Sequence, residues 1–320
     1  MAEIPEMCYD GRRMEGSALN GCMLCPRACD ADRSVSPGFC GMGTQIRLAR
    51  AARHLWEEPC ISGTNGSGTV FFSGCTLGCV FCQNRKISRE GFGMEVSPER
   101  LAEILTQLEQ SGVHNLNLVT PTHFTPQILQ ALSLAKPGIP VVMNCGGYER
   151  VETLRLWEGS VDIYLPDLKY YSPALSQKYS GAADYFEAAS RAILEMHRQQ
   201  PRLVYSGGLL SRGLIVRHLV LPGCMRDSLR LMDWLHDNLP ADSFLLSLMS
   251  QYTPTPACRA FPKLDRRITT YEYESVAERA RTLGLQGFGQ ERRSAREEYT
   301  PPFDLEGVLP RKPQETQEHQ

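Results

Sequence analysis

Cysteines are the side chains of this sequence whose spacing most clearly implies chemistry. Cys75, Cys79 and Cys82 lie within eight residues, in a segment that also contains Gly74 and Gly78. Three thiolates can converge on one centre only if the backbone curls around it, and glycine permits the backbone conformations that this requires. Thiolates favour zinc, copper or iron–sulfur clusters, and a structural zinc site would need a fourth ligand, which the neighbouring sequence lacks. Three ligands and one open position indicate a reactive metal centre, since a 4Fe–4S cluster held this way would keep one iron free for a substrate.

A second group of cysteines precedes the first. Cys22, Cys25, Cys29 and Cys40 supply four thiolates, which is a complete ligand set with no position left open. Close spacing of cysteines in a reducing compartment favours metal binding over disulfides. We therefore expect a structural zinc or an auxiliary iron–sulfur cluster in this segment, and the spacing fits both.

Short apolar runs alternate with amphipathic segments from Thr69 onward, and these elements must position the cysteines. Six runs predict strands buried on both faces, at 69–72, 115–120, 140–143, 161–165, 214–221 and 244–249. Helices are predicted at 97–110, 127–135, 185–199, 228–238 and 273–283. Strand followed by helix, repeated six times, predicts an α/β fold, a partial (β/α)6 TIM-like barrel with an N-terminal cysteine-rich metal-binding extension. The expected domains are the extension at 1–66, the barrel at 67–291 and a mobile tail at 292–320.

Polar residues follow the predicted strands where each one ends. Reactive side chains of (β/α) barrels lie at this C-terminal rim. The residues concerned are Thr120 and Thr122 after the second strand, Asn144 after the third, Asp167 and Lys169 after the fourth, and Arg217 and His218 on the fifth. Plainer interpretations exist for some of them: a salt bridge between Asp167 and Lys169, a core position for His218 and a turn for Asn144.

Composition excludes several classes of protein. The 320 residues are 42% hydrophobic and 22% charged, as in an ordinary globular protein, so disorder throughout is excluded. A net charge of −2 argues against nucleic acid as a partner. The acidic start lacks the apolar stretch of a secretory signal. The sequence contains no run of 18 apolar residues, the length needed to span a bilayer. We therefore expect a cytoplasmic protein whose twelve cysteines stay reduced.

The Cys-x3-Cys-x-aromatic-Cys pattern of Cys75, Cys79, Phe81 and Cys82 resembles the radical S-adenosylmethionine (SAM) superfamily. Longer strings resemble the pyruvate formate-lyase activating enzyme homologs within it. These strings lie at 54–63, 71–75, 117–123, 161–170, 216–223 and 247–252. The resemblance implies a 4Fe–4S cluster at the three cysteines, with SAM chelated by the free iron. It implies that a reduced cluster cleaves SAM to methionine and a 5′-deoxyadenosyl radical, which abstracts a hydrogen atom; no catalytic residue beyond the cluster is implied.

The resemblance also implies roles in SAM binding at the barrel rim. Phe81 would lie beside the adenine, and Asn144 near the ribose or a bound cation. Arg217 and His218 would lie near the methionine carboxylate and ribose, while Asp167 and Lys169 match an Asp-x-Lys motif. One departure concerns the second strand, where many members carry Gly-Gly-Glu to hold the SAM amino group. This chain has Thr120 and Thr122 there, so hydroxyls and backbone carbonyls would have to replace the carboxylate.

Glycyl-radical activation is the reaction that this resemblance implies, with a glycine of a partner enzyme as hydrogen donor and flavodoxin or ferredoxin as electron donor. Two alternatives remain open from the residues alone. The same radical chemistry could act on another protein, an RNA or a small molecule. A non-catalytic metal-binding interaction protein is the alternative of another class, supported by the missing carboxylate and opposed by the intact three-cysteine segment.

Overall fold

A computed structural model describes residues 8–9, 12–13, 21–289 and 301–309 of the chain. Its strands in chain order are β1 Cys8–Tyr9, β2 Arg12–Arg13, β3 Ile46–His54, β4 Ser67–Phe72, β5 Met94–Val96, β6 Leu116–Val119, β7 Val141–Cys145, β8 Ile163–Pro166, β9 Val204–Ser206, β10 Leu209–Leu219, β11 Leu245–Met249 and β12 Gly287–Gly289. Its helices are α1 Pro59–Ser62, α2 Arg85–Ser88, α3 Pro98–Gln110, α4 Thr125–Ala135, α5 Val151–Leu156, α6 Pro173–Ser180, α7 Tyr185–Gln199, α8 Met225–Asn238 and α9 Thr270–Thr282. Two 3₁₀ turns lie at Thr122–Phe124 and Pro256–Ala260.

Six parallel strands build the centre of the fold, in the order β4, β6, β7, β8, β10 and β11. They coincide with the six predicted apolar runs, with ends shifted by a few residues. The α/β fold with a mostly parallel sheet is thereby confirmed, and the helices between the strands cover the outer face of the sheet. We call the space enclosed by the inner faces of these strands the lumen.

Helix α3 illustrates how local sequence sets an element. Ser97 is the N-cap, and its side chain accepts a hydrogen bond from the backbone N–H of Arg100 at 3.2 Å. Pro98 occupies the first helical position, where a missing N–H costs nothing. Leu101 and Leu105, one turn apart, are buried together against the sheet. The predicted cap, start and apolar face of this helix are all present.

The N-terminal extension contains a strand that the sequence pattern did not indicate. Strand β3 pairs antiparallel with β4 and also with β5, so it belongs to the same sheet as the barrel strands. Helix α1 follows β3 and closes the lower end of the lumen, where Ile61 packs with Ile163 and Ile215. Part of the segment 1–66 is therefore structurally continuous with the barrel.

Residues 301–309 correct the expectation of a mobile tail over this stretch. Phe303 and Val308 are buried, and Phe303 lies 5.5 Å from the ring of Phe71, centroid to centroid. The backbone N–H of Leu305 donates to Ala49 of β3 at 3.0 Å. Apolar contacts and hydrogen bonds to β3 hold this stretch, while 292–300 and 310–320 lie outside the described residues.

No helix in the part of the chain that the structure describes is long and apolar enough to cross a membrane.

Candidate functional site

The cysteine loop, residues 73–82, leaves the C-terminal end of β4 and places its three cysteines around one cavity. Cys75, Cys79 and Cys82 all line this cavity, which has a volume of about 240 Å³. The other walls come from residues at the ends of the remaining barrel strands. We call it the rim cavity, and it lies where the sequence predicted reactive groups to meet.

Two glycines shape the cysteine loop in different ways. Gly74 adopts φ +86°, a left-handed conformation that disfavours other residues. A side chain there would also meet the backbone oxygen of Cys40 at 2.8 Å. Gly78 has no left-handed φ; its missing side chain instead leaves room for the guanidinium of Arg89. One glycine allows the curl and the other allows a close contact.

Hydrogen bonds from neighbouring groups reach each of the three sulfurs. The Leu77 backbone N–H lies 3.4 Å from the Cys75 sulfur. Ser180 donates to Cys79 at 3.0 Å, and the Ser88 hydroxyl lies 3.3 Å from Cys82. Donors to cluster sulfurs tune the reduction potential of an iron–sulfur centre. Nothing in the sequence pattern pointed to the two serines: Ser88 ends the short helix α2 that follows the loop, and Ser180 comes from α6, about a hundred residues later.

Burial and mutual repulsion govern the protonation of these thiols. Burial, together with the nearby Cys82 and Cys79 thiols, raises the pKa of Cys75 to about 12. The pKa of Cys82 is raised for the same reasons, with Lys169 acting weakly in the opposite direction. Iron binding would therefore have to displace protons from these thiols.

A charged network forms another part of the wall of the rim cavity. Arg217 donates through Nε to Asp167 at 2.9 Å and through Nη2 to the amide oxygen of Asn144 at 2.6 Å. Lys169 donates to the second oxygen of Asp167 at 2.5 Å. Burial would raise the pKa of Asp167, but Arg217 and Lys169 hold it below its usual value. Two cations and one carboxylate leave this wall with one net positive charge.

Phe81 lines the same cavity with an aromatic face. Its ring centroid lies 6.4 Å from Tyr170 and 6.0 Å from Tyr252, both in edge contacts. Thr120 lies at the end of β6 with φ +60°, which is uncommon for a residue other than glycine. Left-handed backbone of this kind concentrates at functional sites. Thr120 lies where many superfamily members would carry the Gly-Gly-Glu sequence.

Thr122 and His218 are not brought to the rim cavity. The Thr122 hydroxyl donates to the buried carboxylate of Glu149 at 2.6 Å. His218 lies between the carbonyl of Leu168, at 2.6 Å, and the hydroxyl of Ser228, at 2.8 Å. Burial lowers the pKa of His218 to about 4, as for a neutral core histidine. The remaining predicted residues, Phe81, Thr120, Asn144, Asp167, Lys169 and Arg217, all line the cavity.

The sixth strand contributes wall residues to which sequence reasoning gave no role. Met249, Gln251, Tyr252 and Thr253 line the rim cavity from the end of β11. The string at 247–252 was recognised as part of the family resemblance, so a signal existed. All six parallel strands therefore deliver residues to one rim.

The donor set of the rim cavity fits an iron–sulfur cluster better than a single ion. Among the described residues, no three His, Cys, Asp or Glu side chains are placed to hold one metal ion. Each thiolate of a 4Fe–4S cluster binds its own iron, so the sulfurs lie farther apart than the ligands of one zinc. With Asp167 already engaged by two cations, three thiols remain as the ligands.

The four N-terminal cysteines lie near one another and beside the cysteine loop. Burial raises the pKa of Cys25 to about 12, and the neighbouring Cys22 and Cys40 thiols act in the same direction. The backbone N–H of Cys75 donates to the Cys40 carbonyl at 3.3 Å. Within the described chain, the side chains of Cys22, Cys25, Cys29 and Cys40 are not arranged to hold a single metal ion. Binding of a zinc ion or an iron–sulfur cluster by these four cysteines therefore stays a prediction.

Two arginines of the extension attach it to the rim. Arg27 donates to the carbonyls of Thr76, in the cysteine loop, and of Ser180, both at 3.0 Å. Arg33 is buried and donates to the carbonyls of Met42, at 3.1 Å, and of His123, at 2.5 Å. Both side chains thus hold the extension against the rim through backbone carbonyls.

A larger groove lies on the same side of the barrel, beyond the cysteine loop. It has a volume of about 970 Å³, and four cations line it: Arg226, Arg230, Lys263 and Arg266. Two acids in the groove, Asp227 and Glu272, are occupied by backbone N–H groups and by Arg266. The loop that carries Lys263 reaches the cysteine loop, where Thr255 donates to the Val80 carbonyl at 2.8 Å. We call this feature the basic groove.

The chain matches a family model, a protein of related sequence and, at lower similarity, several solved structures. Residues 69–218 match the family model described as Radical SAM superfamily. The uncharacterized protein MJ0674 of Methanocaldococcus jannaschii is 30% identical over 279 residues, which cover 83% of this chain and 76% of that protein.

Solved structures show weaker similarity. SuiB of Streptococcus suis, bound to S-adenosylmethionine, matches with a TM-score of 0.48 and 12% identity over 70% of this chain; the match spans 50% of SuiB, about half its length. A domain of pyruvate-formate lyase-activating enzyme from Bacteroides vulgatus gives a TM-score of 0.35 and 14% identity, over 61% of this chain and 91% of that domain. Neither match bears on the substrate.

Proposed function

Because the chain belongs to the radical SAM superfamily, we propose that it is an enzyme that holds a 4Fe–4S cluster at Cys75, Cys79 and Cys82 and cleaves SAM reductively. The observation that carries this proposal is the single rim cavity that the three thiols share with Phe81 and the charged network. Cys75, Cys79 and Cys82 would hold the cluster, which would supply the electron for reductive cleavage of SAM and so the means of hydrogen abstraction from a substrate.

The protein's own residues would bind and orient SAM. The net positive charge of the network formed by Arg217, Lys169 and Asp167 suits the SAM carboxylate. Phe81 offers an aromatic face for the adenine, and Asn144 holds the guanidinium of Arg217 in place. The hydroxyl and backbone carbonyl of Thr120 are the groups available for the SAM amino group. Walls from all six strands limit water around the reacting atoms.

The substrate that we propose first is a glycine of a glycyl-radical enzyme. Its support is the family resemblance of the strings at 54–63, 117–123 and 161–170 to activating-enzyme homologs. The sheet is also open on one side, which suits entry of a protein loop. Radical modification of another protein, an RNA or a small molecule uses the same cavity and is the competing proposal.

The decisive experiment measures 5′-deoxyadenosine released from SAM by anaerobically reconstituted, dithionite-reduced protein. Cys79→Ala should abolish release, while Cys60→Ala, a cysteine outside the rim cavity, should leave it unchanged. Equal release from both variants would refute the cluster assignment. Absence of release from the cluster-loaded wild type with SAM bound, with or without a glycyl-radical enzyme, would favour the non-catalytic alternative.

An electron carrier with an acidic surface, such as flavodoxin or ferredoxin, is the second partner that we propose. Its docking site would be the basic groove, because Arg226, Arg230 and Lys263 are exposed there on a chain of net charge −2. Arg226→Glu/Arg230→Glu should slow SAM cleavage driven by reduced flavodoxin about tenfold and leave cleavage driven by dithionite unchanged. Equal rates with flavodoxin, or protection of the groove by RNA instead, would reject this partner.

A reducing compartment is the setting that this chemistry requires. The free cysteines and the proposed cluster would both be lost to oxidation outside it. We therefore propose a cytoplasmic location.

A further inference from the structure

Residues 301–306, which we call the strap, lie along the edge of β3. The backbone N–H of Leu305 donates to the Ala49 carbonyl at 3.0 Å, and the backbone N–H of Ala51 donates to the Glu306 carbonyl at 2.8 Å. Within the described residues, β5 pairs with the first three residues of β3 and leaves the edge at these two alanines to the strap. The strap thus adds to the sheet in the way that an extended peptide binds to an exposed sheet edge.

The strap also supplies acceptors to two cations of the barrel. Arg50 of β3 pairs with the carboxylate of Asp304 at 2.8 Å and with that of Glu306. Lys86 of α2 donates to the Phe303 carbonyl at 2.7 Å. If the strap left, both cations would lose these acceptors and face solvent. The surface under the strap is therefore complementary to an acidic segment.

Phe303 is the apolar anchor of the strap, and it lies next to the wall of the rim cavity. Its side chain is 7% exposed and belongs to one buried cluster with Phe71, Ile87 and Val119. Ile87 and Val119 also line the rim cavity, so they lie between the strap and that cavity. Because the ring of Phe303 itself fills the space beside them, an aromatic side chain from another protein would fit there once the strap had left.

Helix α2 connects the strap with a ligand of the proposed cluster. Lys86 contacts the strap, and Ser88, two residues later, lies 3.3 Å from the Cys82 sulfur. The helix has only four residues, so a shift at its strap side also shifts Ser88. A segment bound in place of the strap would therefore act on the surroundings of a cluster sulfur.

The strap is held less firmly than the barrel strands. The carboxylates of Asp304 and Glu306 are 49% and 58% exposed, so solvent screens their pairs with Arg50. The residues that follow are better anchored, since Val308 is fully buried. Segments with few buried contacts open more often than core strands do. We therefore expect the strap to open while the barrel stays folded.

We propose that the strap occupies a docking site for an extended segment of the partner protein, which carries an aromatic residue beside carboxylates and binds by replacing the strap on the edge of β3. This rests on the proposed function, because the partner is the protein whose loop is the proposed substrate. A peptide rather than an RNA is indicated, since the strap extends the sheet through its main chain and only a polypeptide can do so. The docked partner would lie beside the rim cavity.

The test measures binding of a fluorescent peptide with the sequence of residues 301–309 to the full-length, cluster-loaded protein by fluorescence anisotropy. The peptide should bind Phe303→Ala at least about tenfold more tightly than the wild type, because the intact strap competes from the same chain at a high effective concentration. Asp304→Asn/Glu306→Gln, which changes two half-exposed side chains, should show the same gain. A peptide with alanine in place of its phenylalanine should bind to none of these proteins.

Two substitutions on β3 locate the binding site. Arg50→Gln, added to Phe303→Ala, should remove most of the peptide binding, because it removes the cation that the strap carboxylates contact. Arg47→Gln, at an arginine of the same strand that pairs with Glu95 instead, should retain it.

Native-state hydrogen exchange is the second measurement. In the wild type, the backbone N–H of Leu305 should exchange about a hundredfold faster than that of Leu118 in β6, a strand that is paired on both sides. Leu118 should keep its protection in Phe303→Ala, which checks that the barrel of this variant is folded.

Each outcome decides the inference. Equal binding of the peptide to the wild type and to both strap variants, or binding to neither variant, would refute it. Exchange of Leu305 as slow as that of Leu118 would do so as well, since the strap would then be a fixed part of the barrel. Failure of SAM cleavage with peptide binding intact would reject the proposed function while leaving the docking site in place.

Discussion

Removing the carboxylate of Asp167 should destabilise the protein far more than removing a carboxylate from a surface ion pair. Among the residues that the structure describes, Asp167 is the anion that pairs with both Arg217 and Lys169, and the three side chains are 16–18% exposed. Asp167→Asn leaves two cations facing each other in a nearly dry site. Breaking a buried pair in this way costs about 3–5 kcal/mol. We expect a loss of about 3 kcal/mol in the free energy of unfolding, since the residual exposure screens part of the repulsion.

Asp233→Asn is the matched control for this prediction. Asp233 pairs with Arg279 at 2.7 Å, but both side chains are 42% exposed. A surface pair of this kind contributes about 0–1 kcal/mol. Urea denaturation of the metal-free protein at pH 7, under reducing conditions, measures both variants. The two pairs have similar geometry and differ in burial, so the difference in their costs isolates the effect of burial.

Two further measurements test the cause. Asp167→Asn/Arg217→Met removes one of the unpaired cations and should recover about half of the loss. The pKa of Asp167 is held low in the folded state, so its contribution is present above the unfolded pKa and lost as the pH falls through the folded pKa. The difference between wild type and Asp167→Asn should shrink accordingly in acid. A cost for Asp167→Asn no greater than that for Asp233→Asn would refute the reasoning, because it would mean that water screens the rim cavity.

Three other predictions follow from buried or capping groups. His218 has a folded pKa of about 4, so between pH 4 and 6.5 the imidazole binds a proton in the unfolded chain and not in the folded one. As the pH rises through that range, the stability of wild type relative to His218→Gln should increase by about 1.4 kcal/mol per pH unit, and above pH 7 the difference should stay constant. Thr269→Ala removes the capping box at the start of α9 and should cost about 1 kcal/mol in urea denaturation, whereas Thr282→Ala at its exposed end should cost almost nothing. Ser180→Ala removes the donor to the Cys79 sulfur and should lower the midpoint potential of the cluster-loaded protein by about 20–60 mV in a redox titration, with Ser176→Ala as control; an unchanged potential would remove Ser180 from the site.

The barrel strands and the cysteine loop could be predicted because each has a local signature. Strands buried on both faces are continuous apolar runs, so 244–249 and its five counterparts stand out from the helices between them. Strand β3 escaped prediction because Arg47, Arg50 and Arg53 interrupt its apolar residues. Its pairing with β4 depends on a turn and on contacts that no short window of sequence displays.

The alternation of side chains along a strand explains why His218 does not line the rim cavity. Successive side chains of a strand point to opposite faces, so Arg217 and His218 could not both face the lumen. A stricter use of this rule would have kept Arg217 and placed His218 in the outer core from the sequence alone.

Attachment of the extension to the rim has a consequence for how the enzyme is made. Arg27 is synthesised early, yet the carbonyl of Ser180 that it binds lies 153 positions later in the chain. At about 5–20 residues per second, ribosomes need roughly 10–30 s to produce that partner. During this interval the cysteines of the nascent chain are unprotected by tertiary structure. Iron delivered before Ser180 has been made would meet an unformed loop, so we expect cluster assembly to follow synthesis of that residue and to depend on how well the cell keeps new thiols reduced.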